Sequence, residues 1–277
     1  MTKFHMNTFG KIIAFSVLLI TLMSCGSSHT IQRGDSAEVA FEKAMSLYDA
    51  ERYSRAAEAF EVVLSISRGT ALAADAQFYL AQSHFNNNSF LLAASEFQRF
   101  SRTYTNDERR IEAEFMEAYS YYMMSPRYNL DQTDTYTALD RFQLFVTRHP
   151  DSDLADEAHE YMDELRDKLA RKKFEAAEMY FRIGEYRSAA LYYELTVEDF
   201  PESRWTERAL LRKIETYVRY AENSVRERQQ ERFEEAVDSY QQYVQIFPRG
   251  EHRDRAEEFY NEALDGLAEL ATVTAER

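Results

Sequence analysis

The chain has 277 residues and a formal net charge of −15, with 29% charged residues and only 7 glycines and 4 prolines. Such acidity excludes a nucleic-acid role, which needs a basic face, and opposes simple adhesion to anionic headgroups. Scarce Gly and Pro with abundant Ala, Glu, Arg and Leu point to an all-α chain, one large domain or a repeat array, whose 19 Tyr and 19 Phe sit between helices or in a groove.

The N-terminal stretch carries Lys3 and Lys11, has no acidic residue before position 25, and contains the apolar run 12–22 (IIAFSVLLITL). That run has the length of a secretory core and is short for a membrane span. Leu22-Met23-Ser24-Cys25 follows and is similar to a bacterial lipobox, where a small residue precedes a lipidated cysteine; Met23 is its looser position. Cys25 is the single cysteine, so it has no internal disulfide partner. The plain alternative is an unmodified thiol. On the lipobox reading, residues 1–24 are a removed signal peptide, Cys25 carries the acyl chains and 25–35 form a tether, with no transmembrane helix left. Removing Lys3 and Lys11 takes the net charge from −15 to −17. Residues 26–32 (GSSHTIQ) hold no acidic cluster, which predicts anchoring on the periplasmic face.

Beyond the tether, one spacing recurs: alanine, an aromatic four residues later, proline eight after that. Ala138-Phe142-Pro150, Ala189-Tyr193-Pro201 and Ala236-Tyr240-Pro248 show it in full, and Ala56-Phe60 and Ala93-Phe97 repeat its first two members. Small residues let two helices approach, the ring one turn on fills the gap, and proline stops the helix. Upstream helices carry Ala44, Ala81, Ala118 and Ala177 as their close-contact points, and tight turns fall at 49–52, 86–89 and 183–185. The pattern resembles the tetratricopeptide repeat. It predicts an α-solenoid of about five helix pairs at 36–69, 72–105, 109–151, 170–202 and 205–249, with a capping helix at about 253–270. The third pair is stretched by a loop at 125–134 and the fifth around 223–230. The domain reading is units one to three over 36–151, units four and five with the cap over 152–272, and a tail at 273–277.

Tetratricopeptide arrays turn the first helix of each pair to the concave side. Phe41, Phe78 and Phe115 recur every 37 residues, as do Tyr48, Phe85 and Tyr122 seven residues later, with Phe174 and Phe181 in the same places of unit four. Positions seven apart share a stripe of a helix. These rings either line a peptide trough or pack as core between units. Tyr48, Tyr119 and Tyr122 carry hydroxyls that favour exposure, Gln82 suits peptide backbone, and Arg52, Arg99 and Arg102 offer cations for a peptide carboxylate. Near the C-terminus the stretch 222–232, rich in Arg and Gln, predicts an uneven excursion; Arg226, Arg228 and Arg232 on it are candidates for docking an acidic partner face.

No constellation supports catalysis. The chain has no phosphate-cradling Gly-rich loop and no Gly-x-Ser-x-Gly elbow, and His84, His149 and His159 lack metal-ligand spacing. Acidic runs such as 151–157 read as solvated helix starts. The expectation is a protein without enzymatic activity, metal or cofactor.

A lipobox followed by tetratricopeptide units resembles the BamD family, lipoproteins of the outer-membrane β-barrel assembly machine. Residues 119–132 (YSYYMMSPRYNLDQ) and 136–143 look like that family's third unit with its internal loop, and 221–224 and 174–203 are similar too. The resemblance implies a lipid-anchored scaffold on the periplasmic face of the outer membrane. It also implies two partners: POTRA domains of the barrel-forming subunit at the C-terminal units, and unfolded outer-membrane proteins at the N-terminal units. Family members often carry a basic residue on the second helix of unit four where this chain has Tyr192; Arg182 or Arg187 is then the substitute. The rival readings are a tetratricopeptide adaptor for another envelope complex (cell wall, secretion or gliding) and a nutrient-binding helical-repeat lipoprotein.

Overall fold

The computed structural model describes residues 31–275. The expected signal peptide at 1–24, Cys25, residues 26–30 of the expected tether and residues 276–277 lie outside them. Regular structure among the described residues is helical throughout. It comprises α1 (Ala37–Asp49), α2 (Tyr53–Ile66), α3 (Ala71–Asn86), α4 (Phe90–Thr103), α5 (Arg110–Met124), α6 (Thr133–Arg148), α7 (Ala155–Arg182), α8 (Tyr186–Asp199), α9 (Thr206–Glu222), α10 (Arg226–Ile246) and α11 (Arg253–Ala275). Two compact units divide between Asp107 and Glu108. The first holds α1–α4 and the second α5–α11.

The predicted pairs form for the predicted reasons. Ala44, Ala56, Ala81, Ala93, Ala118, Ala138, Ala177, Ala189 and Ala236 are all fully buried, so helix backbones approach closely there. Three of the turns share one hydrogen-bond scheme. After α1, α3 and α7 the backbone N–H of Arg52, Ser89 and Glu185 donates to the carbonyl of Leu47, His84 and Tyr180 at 2.9, 2.9 and 3.0 Å. The residue before each donor has positive φ: Glu51 at 58°, Asn88 at 58° and Gly184 at 78°. This is the left-handed helix stop that glycine and asparagine tolerate best. Proline follows four further ends: α5, α6, α8 and α10 each close two residues before one, at Pro126, Pro150, Pro201 and Pro248, where its ring and missing N–H bar the helix from continuing.

Three expectations are corrected. The fourth unit does not begin at residue 170: α7 runs 28 residues, Ala155–Arg182, without interruption. Its buried stripe of Ala155, Ala158, Met162, Leu165, Leu169, Phe174 and Ala177 keeps helical spacing throughout, and no Gly or Pro lies between 151 and 183. Met162 and Leu165 join the core around Phe142 and Phe145, while Phe174 and Ala177 join the core around Tyr193 and Leu210. One helix thus serves the third pair and the fourth. Second, the stretch 222–232 is no excursion. A short turn at 223–225 leads into α10, because Arg, Glu and Gln extend a helix readily. Third, α11 continues past the expected cap through the expected tail to Ala275.

Candidate functional site

In the first unit the aromatic stripes act mainly between helix pairs. Phe78 is 6% exposed and packs edge-on against Phe97 and Phe100 at 6.0 and 5.2 Å, so it is core and not groove lining. Phe41 and Tyr48 are half-buried against Tyr79 of the next pair, with centroids at 6.1 and 5.4 Å. Tyr79 stacks in turn on buried Phe60 at 5.7 Å. The Tyr48 hydroxyl accepts from the Asn86 side chain at 2.9 Å, and burial above all pushes that phenol up. Phe85, half-buried, meets Phe90 at 5.3 Å, and Gln82 is half-buried on the same helix. Arg52 and Arg102 are exposed, and Arg99 pairs with Glu96 at 3.2 Å. Tyr79 escaped the sequence reading because it lies one residue off the heptad stripe.

The second unit repeats the arrangement with α7 as the neighbour. Phe115 is 5% exposed and sits among Phe142, Phe145 and Tyr119; it too is core. Tyr119 and Tyr122 are half-buried and pack on Tyr161 at 5.0 and 4.5 Å. The Tyr122 hydroxyl donates to Glu164; burial first, then that carboxylate, push its pKa up to about 12.

The docking candidates separate. Arg182 and Arg187 are exposed beside the α7–α8 turn, and Tyr192 is half-buried on Tyr180 at 5.1 Å. Arg226 is exposed in the first turn of α10, Arg228 pairs with Glu231 at 3.1 Å, and the Arg232 guanidinium lies 3.6 Å from the Tyr220 ring centroid. Arg232 is therefore already engaged, which lowers its value for an incoming carboxylate.

The sequence reading missed a cleft of about 1210 Å³ in the second unit. Its floor is the middle of α7, from Glu160 to Arg171; its walls are the end of α5, bearing Tyr122, the α5–α6 loop, bearing Arg127 and Tyr128, and the α8–α9 connection, bearing Phe200, Glu202 and Arg204. The loop is fixed from within. Gln132, 4% exposed, donates its amide to the carbonyls of Arg127, Leu130 and Asp131 at 2.9, 3.0 and 3.3 Å. Its amide oxygen accepts from Thr135 at 2.8 Å, and Ser125 meets the same hydroxyl at 2.6 Å. α7 holds the loop from below: Lys168 donates to Ser125 at 2.7 Å and Lys172 to the Leu130 carbonyl at 2.5 Å. Burial depresses the Lys168 ammonium, and Glu164 opposes that depression. The Arg171 guanidinium lies 4.1 Å from the Tyr128 centroid and 5.5 Å from that of Trp205, so it joins loop and connection. No local pattern announces this cleft, because its walls come from segments distant in sequence.

Among the described residues no group of three or more His, Cys, Asp or Glu is placed to hold a metal, and no helix is long and apolar enough to cross a membrane. Comparison with known proteins gives the family. Two curated relatives are each named outer membrane protein assembly factor BamD. The one from Rickettsia prowazekii is 24% identical over 178 residues, covering 64% of this chain and 71% of the relative. The one from Caulobacter vibrioides is 26% identical over 136 residues, 49% of this chain and 45% of the relative. Among solved structures, the P58(IPK) tetratricopeptide domain aligns at 16% identity and a TM-score of 0.41, covering 87% of this chain and 66% of that one. A family model described as outer membrane lipoprotein, YfiO, matches residues 33–232, the greater part of the helical array, and the chain belongs to that family.

Proposed function

We propose that this chain is a non-catalytic scaffold for outer-membrane protein assembly, held by lipid at Cys25 on the periplasmic face of the outer membrane. The family match over residues 33–232 carries the reading. The names of the two relatives support the assembly role, and the lipobox at Leu22–Cys25 supports the anchor. In this reading the POTRA domains of a barrel-forming subunit dock near the α7–α8 turn and the start of α10, where Arg182, Arg187 and Arg226 are exposed. Unfolded outer-membrane proteins, with aromatic ends, meet the half-exposed ring edges: Phe41, Tyr48 and Phe85 with Gln82 in the first unit, Tyr119 and Tyr122 in the second. Phe78 and Phe115 drop out of that set because they are buried.

The test is affinity capture of the full chain in mild detergent, with mass spectrometry of the bound proteins. Recovery of a POTRA-bearing barrel protein is expected; recovery of cell-wall or secretion components without it overturns the assembly role. Cys25→Ser leaves the membrane fraction if the anchor is right. Tyr48→Ala with Tyr122→Ala weakens synthetic C-terminal peptides by about 1–2 kcal/mol per lost ring.

A further inference from the structure

We propose that the cleft over the middle of α7, which Tyr122 also lines, is a peptide site that takes an extended segment bearing a basic side chain close to an aromatic one. The inference does not depend on the assembly role. Three observations carry it.

The first is the built wall. Three-residue turns suffice after α1, α3 and α7, yet α5 and α6 are joined by residues 125–132. This longer connection is hydrogen-bonded internally through buried Gln132 and tied to α7 through Lys168, Lys172 and Arg171. A wall already ordered before binding reduces the entropy a ligand must overcome.

The second is dimension and shape. Glu160 to Arg171 spans eleven helical steps, roughly 16 Å, enough for about five extended residues. Tyr128 and Phe200 line the cleft and offer ring surface to an aromatic side chain.

The third is the balance of charges. The cleft cations are largely engaged: Arg166 with Asp163 at 3.0 Å, Arg204 with Asp167 at 3.0 Å, Arg171 against Tyr128, Lys168 on Ser125. Glu160 and Glu202 line the same cleft and have no ion pair or hydrogen bond among the described residues. Arg127 is likewise without an ion pair and suits the carbonyls of a bound backbone. Two carboxylates without partners, in a chain of net charge −15, favour a basic ligand at the site and on the way to it.

Fluorescence anisotropy of the full chain with labelled, end-blocked heptapeptides tests this. The probes are AKAFAKA, its glutamate-for-lysine counterpart and its alanine-for-phenylalanine counterpart. AKAFAKA is expected to bind, and each counterpart to bind at least about tenfold more weakly. Glu160→Gln with Glu202→Gln, both exposed and outside any core, is expected to weaken AKAFAKA about tenfold with an unchanged circular dichroism spectrum. Tyr128→Ala weakens it as well, whereas Tyr48→Ala in the other unit does not. Absence of binding, equal affinity for the glutamate peptide, or undiminished binding by the double glutamine variant overturns the proposal. So does loss on Tyr48→Ala matching the loss on Tyr128→Ala.

Discussion

The two compact units hold their helix pairs together by different means. Between residues 31 and 107 the contacts are alanines and rings: Ala44, Ala56, Ala81 and Ala93 at zero exposure, with Phe60 and Tyr79 stacked and Phe78 between Phe97 and Phe100. The buried polar side chain Gln77 reaches Glu96 across one pair. Between residues 108 and 275 the same alanines are joined by charged networks. Arg212 forks onto Glu178 at 2.6 and 3.1 Å, also reaches Glu215, and lies 4.2 Å from the Phe181 centroid, while Tyr193 donates to the same Glu178. Lys213 ties Glu194 to Gln242, and Glu114 gathers Arg110, Arg148 and His149. The first unit has regular pairs with short turns, so shape, with a few hydrogen bonds such as Gln77 to Glu96 and Asn86 to Tyr48, sets their register. The second contains a long loop and a 28-residue helix, and directional contacts fix which turn of one helix faces which turn of the next.

The largest expected effect breaks that contrast at its strongest point. Arg212→Met leaves the Glu178 carboxylate with the Tyr193 hydroxyl but no cation in a largely buried site, and is expected to cost about 2–3 kcal/mol by urea unfolding. Adding Glu178→Leu together with Tyr193→Phe returns much of the loss, because neither a carboxylate nor a buried hydroxyl then lacks a partner. If Arg212→Met is neutral, the network is ornament and the second unit is held by shape as the first is.

A smaller effect depends on pH. Burial works to raise the Glu114 carboxyl, but His149, Arg110 and Arg148 together hold it below its usual range. A carboxylate with a lowered folded pKa contributes fully above its unfolded value, about 4.3, and loses that contribution as pH falls through the folded value. Glu114→Gln is therefore expected to cost about 1–2 kcal/mol at pH 7. Denaturation midpoints of parent and variant converge as the pH drops below about 4. A gap that stays constant down to pH 3 would assign the loss to packing.

Much of this fold was legible because local chemistry sets it. The alanine–ring spacing located the second helix of each pair, and the stops before Pro150, Pro201 and Pro248 fall where proline cannot continue a helix. The continuity of α7 was not legible, since residues 152–169 carry no such spacing and the repeat supplied no reason to read helix there. Nor does a heptad of aromatics tell burial from exposure: Phe78 and Tyr48 occupy neighbouring stripes, yet one is core and the other keeps an accessible edge. The cleft was hidden for another reason. Its chemistry arises from juxtaposing residues 127–128, 160–171 and 199–204, and no segment among them is unusual alone.

The smallest effect sharpens the comparison inside the regular unit. Of the three left-handed turn residues, Asn88 and Gly184 suit that backbone and Glu51 does not. Glu51→Gly is expected to stabilise the chain by about 0.5–1 kcal/mol, net of the added freedom of the unfolded glycine. A lower urea midpoint would mean that Glu51 makes a contact worth more than its strain.

The uninterrupted α7 also governs which length changes the chain can tolerate. The α5–α6 connection lies outside the helix ladder, so an added residue there alters the wall locally. A single residue inserted near Leu165 would instead rotate all that follows on α7 by about 100° and advance it about 1.5 Å. Phe174 and Ala177 would then leave the faces of α8 and α9 that they fill. The midpoint of α7 thus works as a phase lock: its exposed, unpaired residues are replaceable by other helix formers, but their number is not.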